Sequence, residues 1–503
     1  MLAYMLCLSL FAVPAQPGNV LITFAHDFSS HIYSMKPFFI RLSQAGHNVT
    51  VLDTSSSAKP RSFGPGINVF HIYLPPKGDV SSSRGVYWTM QTTSSRMTAL
   101  FAETDKVVGE LIDEHSEELS TVLNTHWDLI VMDELFGLHQ NAIAYRLKQK
   151  KNTPYIVFAT CMIFMTNYIN NALGRFSSSR MGMFLPVPVD SDDVWDPQIF
   201  TLRLNRFVND VVEHIGMRYY LTVSGGFENV KRLTNGDFDF QKFTKESSFH
   251  LTEQIDRTLL PLPEGTDFKL IGSHCGSSKP LPAEYRTFIE DPNSKGTIYV
   301  AFGSVLDLSH APVHIWKSFE EAFAELTDYR IIVTYGGEKK FNVGPHVMIT
   351  KWTPQFDVLS HEKTHLFVSH GGLKSMKEAI CSKTPVLYMP VFAEQAMNTR
   401  MALEIGFART VNKFTVSKAS LLKEIHTILD NYNEYDNKVH RLYDVYMDRI
   451  IPALDEGVFY AERVMRGHGD REQFKRRGID LGWVDYLYAD LVVIFLVLYA
   501  ILK

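Results

Sequence analysis

The densest group of residues able to do chemistry lies in the stretch Trp352–Gln395. A predicted strand, Leu366–Ser369, is followed by His370, Gly371 and Gly372, and then by a predicted helix. Two glycines at such a turn let the backbone approach a ligand closely, and the free N–H groups of a helix N-terminus attract an anion. The pattern therefore predicts a turn that holds phosphate.

Other side chains in this stretch have types that suit a nucleotide and a sugar. Trp352 offers a flat face for stacking on a base, and Gln355 offers an amide that can pair with that base. Glu378 lies two turns along the predicted helix, and Glu394 and Gln395 follow the next predicted strand. Because the carboxyl ends of parallel strands meet at one edge of a sheet, we expect these residues to converge there.

Two histidines, His26 and His31, follow the first predicted strand, Asn19–Ala25. Either could serve as a general base, because transfer to an alcohol near neutral pH needs help in removing its proton. Pro37 is tolerated only near a first helical turn, which leaves the start of the next helix open, with Ser34 as one position for it. His31 would then lie just ahead of a positive helix end, which favours the neutral imidazole that a base requires.

A histidine base also needs a carboxylate that orients it and stabilises the imidazolium as it forms. The predicted strand Leu129–Met132 is followed by Asp133, at the sheet edge where the first strand also ends. Asp128 precedes that strand and Glu134 follows Asp133, so both are weaker candidates.

Strands alternate with helices in both halves of the chain, which predicts doubly wound parallel sheets. A segment rich in Ser and Pro, Ser277–Ala283, is the best candidate for a linker. Two facing sheets leave a cleft at the carboxyl ends of their strands, where ligands bind. The predicted strands are Asn19–Ala25, Asn48–Leu52, Leu129–Met132 and Tyr155–Ala159 in the first half, and Thr297–Phe302, Tyr329–Thr334, His346–Ile349, Leu366–Ser369 and Pro385–Met389 in the second.

Composition excludes several classes of protein. The 503 residues are 45% hydrophobic and 21% charged, which is typical of packed domains and too apolar for a disordered chain. The net charge of −5 comes without a strongly basic region, so nucleic acid is not an expected partner. Four cysteines without a CxxC pair exclude a disulfide scaffold and disfavour structural zinc.

A longer, gapped signature connects the residues of the second half. It runs W-x-x-Q from Trp352, then L-x-H, S-H-G-G, Glu378, Pro385 and P-x-x-x-E-Q ending at Gln395. In this signature, and in the turn Phe302–Ser304, the sequence closely resembles the UDP-glycosyltransferases, in particular the animal UDP-glucuronosyltransferases. The resemblance implies an α/β fold of the GT-B type, in which two Rossmann-like doubly wound domains face each other, with a C-terminal transmembrane helix.

The resemblance also implies a role for each matching residue. The segment Ser30–Met35 matches the turn that carries the family's base, which favours His31 over His26 and makes Asp133 its partner. The donor would be a UDP-sugar, which is a co-substrate; no cofactor and no metal are expected. The residues that would bind it are Ser304, Trp352, Gln355, His370, Gly371, Gly372, Glu378, Glu394 and Gln395.

The implied reaction is an inverting transfer of a glucuronosyl group from UDP-glucuronate to a hydroxyl of a small lipophilic acceptor. Lys374 stands where many relatives carry a small or amide residue, so it either contacts phosphate or points to solvent. Glu394 stands where glucuronosyl-transferring relatives usually have Asp, so UDP-glucose stays an alternative donor. The other alternative is a membrane protein that binds UDP-sugars without catalysis. A dehydrogenase is a poor candidate, because no G-x-G-x-x-G follows the first strand.

The two ends of the chain predict a secretory, membrane-bound protein. Residues Met1–Ala15 are apolar and end in small residues, as in a cleaved signal peptide, with a buried first strand as the alternative. The stretch Tyr486–Leu502 carries one charge, Asp490, and predicts a short transmembrane helix, with a core helix as the alternative. Asn48 begins the N-x-S/T sequon.

Basic residues before the apolar end would lie in the cytosol by the positive-inside rule, whereas a cleaved signal places them in the lumen. We follow the signal and expect a single-pass protein of the endoplasmic reticulum membrane with lumenal catalytic domains, its homo-oligomerisation left open. The expected division is a signal peptide at 1–15, an acceptor-binding domain at 16–280, a UDP-sugar-binding domain at 281–450, helices returning to the first domain at 451–485 and a transmembrane helix at 486–502.

The lumenal orientation predicts that Asn48 carries a glycan, because only a translocated sequon is glycosylated. On expression in cells with a secretory pathway, glycosidase treatment should shift the wild-type band and leave the Asn48→Gln variant unshifted. Protease protection of sealed vesicles is the companion measurement. A chain that is unglycosylated and fully digested without detergent would contradict the lumenal orientation.

Overall fold

Two parallel β-sheets form the framework of the protein. The structure, a computed structural model, describes residues 17–27, 29–75, 81–91, 94–134, 137–161, 186–193, 195–196, 198–209, 211, 227–255, 265–303, 306, 308–338, 341–470, 474–475, 477–486 and 488–503. The predicted signal peptide at 1–15 and Ser304 lie outside these residues.

The first sheet has seven strands in the order β3-β2-β1-β4-β5-β6-β7, all paired in parallel. Its central strands are continuous apolar runs with almost every residue buried, because helices cover both faces of the sheet. The order reverses between β1 and β4, which opens a crevice at their carboxyl ends. The strands are β1 Asn19–Thr23, β2 Asn48–Ser55, β3 Ile67–Tyr73, β4 Leu129–Asp133, β5 Tyr155–Ala159, β6 Phe249–Thr252 and β7 Phe268–Leu270.

The second sheet has six parallel strands in the order β10-β9-β8-β11-β12-β13. Its order reverses between β8 and β11, so a second crevice opens where the turns after these two strands meet. The strands are β8 Thr297–Ala301, β9 Arg330–Thr334, β10 Val347–Thr350, β11 Thr364–Ser369, β12 Val386–Tyr388 and β13 Ala408–Thr410.

Helices connect the strands of both sheets, as parallel pairing requires. They are α1 Ser29–Gln44, α2 Ser81–Thr89, α3 Ser94–Asp113, α4 Ser116–Asn124, α5 Leu138–Lys151, α6 Glu228–Leu233, α7 Phe240–Glu246, α8 Ala283–Ile289, α9 Val313–Glu325, α10 Gln355–Leu359, α11 Leu373–Ser382, α12 Gln395–Ile405, α13 Lys418–Asp430, α14 Tyr432–Met447, α15 Ala453–Arg466, α16 Trp483–Tyr486 and α17 Ala489–Leu502. Two short 3₁₀ helices cover Leu308–His310 and Arg477–Asp480.

The chain passes between the two domains twice. The first passage, residues 271–282, has no regular structure and includes the predicted linker. The second passage follows α14, after which α15 packs on α1 and adds Val458 and Val464 to the core of the first sheet. A disulfide joins Cys275 of the first passage to Cys381 of α11, with 5.6 Å between their Cα atoms.

Buried lysines reinforce the contact between the domains. The Lys377 ammonium lies 2.8 Å from Glu253 Oε1, which follows β6 in the first domain. Lys413 of the second domain donates to the carbonyls of Tyr87 and Met90 in the first domain, at 2.6 and 2.7 Å, and to its own domain's Val391 at 2.6 Å. Residues 81–91 thus lie against the second domain.

The sequence located the centres of nine strands and missed four others, β3, β6, β7 and β13. The C-terminal helix α17 begins at Ala489, later than the predicted Tyr486, and has no buried residue. Among the described residues, none of the helices combines the length and the apolar character needed to cross a membrane, so the predicted span is not confirmed.

The Cys275–Cys381 disulfide closes a loop of about a hundred residues, so losing it should lower stability by about 4–5 kcal/mol in the chain-entropy model. Peptide mapping without reductant should recover the two cysteines in one linked peptide. Cys381→Ser should remove that peptide and lower the midpoint of denaturation. The matched control is Cys161→Ser, a buried cysteine outside the linkage. Two free thiols at 275 and 381 in the purified wild type would contradict the pairing.

Candidate active site

A histidine and an aspartate meet at the crevice of the first sheet. His31 lies in the first turn of α1, which follows β1, and Asp133 is the last residue of β4. His31 Nδ1 is 2.6 Å from Asp133 Oδ2, and the aspartate is fully buried. Because an ionised carboxylate can only accept, Nδ1 carries the proton and Nε2 keeps the lone pair that a base needs.

The expectation that the helix field would favour neutral His31 is wrong. Helix α1 begins at Ser29 rather than near Ser34 and accommodates Pro37 in its interior, so His31 lies inside the helix. Burial lowers the pKa of His31, but the charge and hydrogen bond of Asp133 together outweigh burial and raise that pKa overall. The imidazolium is therefore the form that this environment stabilises.

The alternative candidates lie elsewhere. His26 Nδ1 is 3.0 Å from the carbonyl of Thr54, and its Nε2 is 3.2 Å from Asp27 Oδ2. Asp128 accepts from the backbone N–H of Asn19 at 2.7 Å, at the opposite end of β4. Neither residue belongs to the pair at the crevice.

The turn after β11 has the geometry expected of an anion site. Gly371 has a φ of +83°, and a Cβ at this position would lie 2.9 Å from Thr399 Oγ1. At Gly372 and at Gly303, a Cβ would lie 2.6 and 2.8 Å from the ring of His370. Only glycine fits these positions without displacing a neighbour. The N-cap residue Gly372 has no side chain to cap α11, and the Glu394 carboxylate accepts from the N–H of Leu373, which leaves the N–H groups of Lys374 and Ser375 without a helical partner.

His370 itself is a neutral donor or acceptor rather than a cation. Desolvation lowers the pKa of His370 to about 4. The ring therefore contributes hydrogen bonding to a phosphate, while the positive potential comes from the N-terminus of α11.

Gln355 and Glu378 meet next to this turn, where the Gln355 amide nitrogen donates to Glu378 Oε2 and its oxygen accepts from Tyr299 at 3.3 Å. Trp352 lies three residues before Gln355. The Trp352 side chain is exposed, as a stacking surface for an incoming base must be, and the Tyr285 hydroxyl donates to its carbonyl at 2.8 Å. Burial raises the pKa of Glu378, and the Gln355 amide counteracts that rise.

Glu394 and Gln395 follow β12 and face the same crevice. Gln395 Oε1 accepts from the backbone N–H groups of Val391 and Phe392 at 2.9 and 3.0 Å, so only its NH₂ group is free to donate to a sugar. The Glu394 carboxylate accepts from the backbone N–H of Leu373. Burial raises the pKa of Glu394, and the charge of His31 acts against it, which puts this carboxylate near the base in the other domain.

Lys374 does not extend into solvent. Its ammonium lies 4.6 Å from the centre of the Tyr33 ring, which belongs to α1 of the first domain. Burial lowers the pKa of Lys374 overall, although the charges of Glu378 and Glu253 act in the opposite direction. The side chain thus lies between the two domains.

Two residues of the site, Thr160 and Asn398, were not predicted from the sequence. Thr160, directly after β5, lies 2.8 Å from both His31 Nδ1 and Asp133 Oδ1. Asn398 donates to the carbonyl of Gly371 at 2.8 Å and so supports the turn. The rule that located Asp133 at a strand's carboxyl end would also have found Thr160. The described residues contain no group of side chains arranged to hold a metal ion.

Two Rossmann-like parallel-sheet domains, with a histidine–aspartate pair on one side of a cleft and a glycine turn on the other, define a GT-B glycosyltransferase. Residues 18–503 match the sequence profile of the family described as "UDP-glucoronosyl and UDP-glucosyl transferase". The chain belongs to this family and is a UDP-glycosyltransferase.

Relatives of known name cover nearly the whole chain. It is 26% identical to UDP-glycosyltransferase UGT4 of Dactylopius coccus over 98% of this chain and 94% of that protein. It is also 26% identical to UDP-glucuronosyltransferase 2B1 of Rattus norvegicus over 95% of this chain and 90% of the relative. A UDP-glucosyltransferase from Polygonum tinctorium shares the fold with a TM-score of 0.57 at 16% identity, covering 90% of this chain and 99% of that one.

The raised pKa of His31 predicts a definite pH dependence. If His31 is the base, it acts only when unprotonated, so kcat/KM should rise with pH through its raised pKa. Asp133→Asn removes the negative charge that raises the pKa of His31. The burial of His31 remains, and burial lowers that pKa. The acid limb should therefore move to lower pH, while kcat falls by roughly 10²–10⁴-fold.

The matched control is Asp128→Asn, the same substitution at the other end of the same strand. It should leave the kcat of folded enzyme and the acid limb in place. An acid limb in Asp133→Asn that stays put or moves to higher pH would show that Asp133 does not set the pKa of His31.

Proposed function

We propose that the protein transfers a glucuronosyl group from UDP-glucuronate to a hydroxyl of a small lipophilic acceptor, with His31 as the base and Asp133 as its partner. The observation that carries this proposal is the His31–Asp133 hydrogen bond of 2.6 Å at the crevice of the first sheet. The buried carboxylate fixes the tautomer that leaves Nε2 unprotonated.

In the proposed reaction, the acceptor hydroxyl gives its proton to His31 Nε2 as its oxygen attacks the anomeric carbon. The bond from that carbon to the UDP oxygen breaks, the configuration inverts and UDP leaves with the electron pair. Asp133 stabilises the imidazolium formed at this step, which agrees with the upward shift in the pKa of His31.

The second domain would bind the leaving group. The N–H groups at the start of α11 would face the diphosphate, with neutral His370 adding a hydrogen bond and Ser304 a hydroxyl. Trp352 would stack on the uracil, and Glu378 would accept from the ribose hydroxyls. Because Gln355 donates to Glu378, we propose that Gln355 orients the Glu378 carboxylate toward the ribose as well as lying near the uracil.

Glu394 and Gln395 would contact the sugar hydroxyls. UDP-glucose is the alternative donor, because the Glu394 carboxylate in this crevice repels a second carboxylate on the sugar. Lys374 favours the acidic sugar, since its ammonium lies in the cleft between the domains. A protein that binds UDP-sugars without turnover is the remaining alternative, against which the intact His31–Asp133 pair argues.

We also propose an endoplasmic reticulum location with lumenal catalytic domains. The Cys275–Cys381 disulfide supports it, because such bonds persist in oxidising compartments and are rare in the cytosol. Helix α17 is apolar over nearly its whole length and exposed throughout, which supports membrane attachment through this segment. The sequon residue Asn48 is exposed, as a glycan site must be.

The proposal is tested by a donor screen in which UDP-glucuronate and UDP-glucose are offered with a panel of phenols. Turnover should be higher with UDP-glucuronate. His31→Ala should abolish turnover and leave UDP affinity near the wild-type value, because the base contacts only the acceptor. His26→Ala is the control and should keep turnover.

The outcomes separate the alternatives. Preference for UDP-glucose would replace the donor and retain the mechanism. Binding of UDP without turnover of either donor would support the non-catalytic alternative. Turnover kept in His31→Ala and lost in His26→Ala would move the base to His26.

A further inference from the structure

Thr160 completes a closed ring of three polar groups at the crevice of the first sheet. Its hydroxyl oxygen lies 2.8 Å from Asp133 Oδ1 and 2.8 Å from His31 Nδ1. The third side of the ring is the 2.6 Å contact between His31 Nδ1 and Asp133 Oδ2. The Thr160 residue is 4% exposed, so the ring is shielded from water.

The protons of this ring can be assigned from the chemistry of its members. Ionised Asp133 accepts at both oxygens, so the Thr160 hydroxyl donates to Oδ1 and His31 Nδ1–H donates to Oδ2. The hydroxyl has a single proton, and its lone pairs are what it presents to His31. Nδ1–H therefore faces two acceptors, Asp133 Oδ2 and Thr160 Oγ1, which favours the tautomer with an unprotonated Nε2.

The ring also restrains the aspartate. A carboxylate rotates easily about its terminal torsion, which has a broad energy minimum. Here its two oxygens are engaged by groups from two different elements, Thr160 after β5 and His31 on α1. The plane of the carboxylate, and with it the orientation of the imidazole, is fixed from both sides.

We propose that Thr160 is a positioning residue for the base, acting through Asp133 and His31 without contact with the reacting atoms. This inference rests on the proposed role of His31 as the base. Loss of the hydroxyl leaves Asp133 with one donor fewer in a buried position and lets the pair sample unproductive orientations. The fraction of productive encounters falls, and substrate affinity does not.

The first measurement compares Thr160→Val, which removes the hydroxyl at nearly equal volume, with Thr160→Ser, which keeps it. Thr160→Val should lower kcat by roughly 10- to 100-fold, the size expected of a misplaced catalytic group, with KM for donor and acceptor within about twofold of wild type. Thr160→Ser should restore most of kcat. Thr160→Ala provides a second removal of the hydroxyl if the valine variant does not fold.

A double-mutant cycle identifies the route of the effect. If Thr160 acts through the aspartate, Thr160→Val should cause no further loss of kcat in the Asp133→Asn background. Full additivity of the two losses, or a rise in donor KM in Thr160→Val, would mean that Thr160 contacts the sugar and would overturn the proposal.

Failure of this inference can be told apart from failure of the proposed function. Wild-type kcat in both His31→Ala and Asp133→Asn would remove the base on which the inference rests. Loss of kcat in those two variants, with wild-type kcat in Thr160→Val, would overturn the role of Thr160 alone.

Discussion

The buried ion pair between Lys377 and Glu253 holds the two domains in register. Lys377 belongs to α11, whose N-terminus forms the phosphate turn, and Glu253 follows β6 in the first domain. Burial alone would raise the pKa of Glu253, but Lys377 and His274 outweigh it and keep the carboxylate ionised. Loss of one partner would leave an uncompensated buried charge, a penalty of about 3–5 kcal/mol. His31 and the glycine turn after β11 lie on different domains, so their alignment depends on contacts of this kind.

Two histidines of the cleft, His31 and His370, have pKa values shifted in opposite directions. His31 and His370 are both desolvated, which lowers the pKa of each. His31 has the Asp133 charge beside it and ends with a raised pKa, whereas burial dominates at His370 and its pKa falls to about 4. A single carboxylate thus separates the two histidines in pKa, since Asp133 lies beside His31 whereas desolvation sets the pKa of His370.

The sequence was most informative where a local pattern determines the geometry. The alternation of strands and helices predicted both sheets, and the glycines after His370 predicted a turn whose backbone a ligand can approach closely. The sequence was least informative about side-chain contacts between segments that are distant in the chain. Nothing in the local pattern links Lys413 to the carbonyls of Tyr87 and Met90, and the contact of Gln355 with Glu378 depends on how α10 packs on α11. Short strands such as β7 and β13 carry too few residues to show a period.

The disulfide at Cys275 ties the first passage between the domains to the second domain. Cys275 is bonded to α11 and the backbone of Lys279 donates to Asp357, so this part of the first passage moves with the second domain. The residues just before Cys275 are held as well: the Gly272 carbonyl accepts from Tyr446 at the end of α14, and His274 Nε2 lies 3.1 Å from Glu253 Oε1 of the first domain. The two passages of the chain are therefore joined side by side at Gly272 and Tyr446. A rotation of one domain against the other about this place would change the width of the cleft mouth most and the distances beside the two passages least.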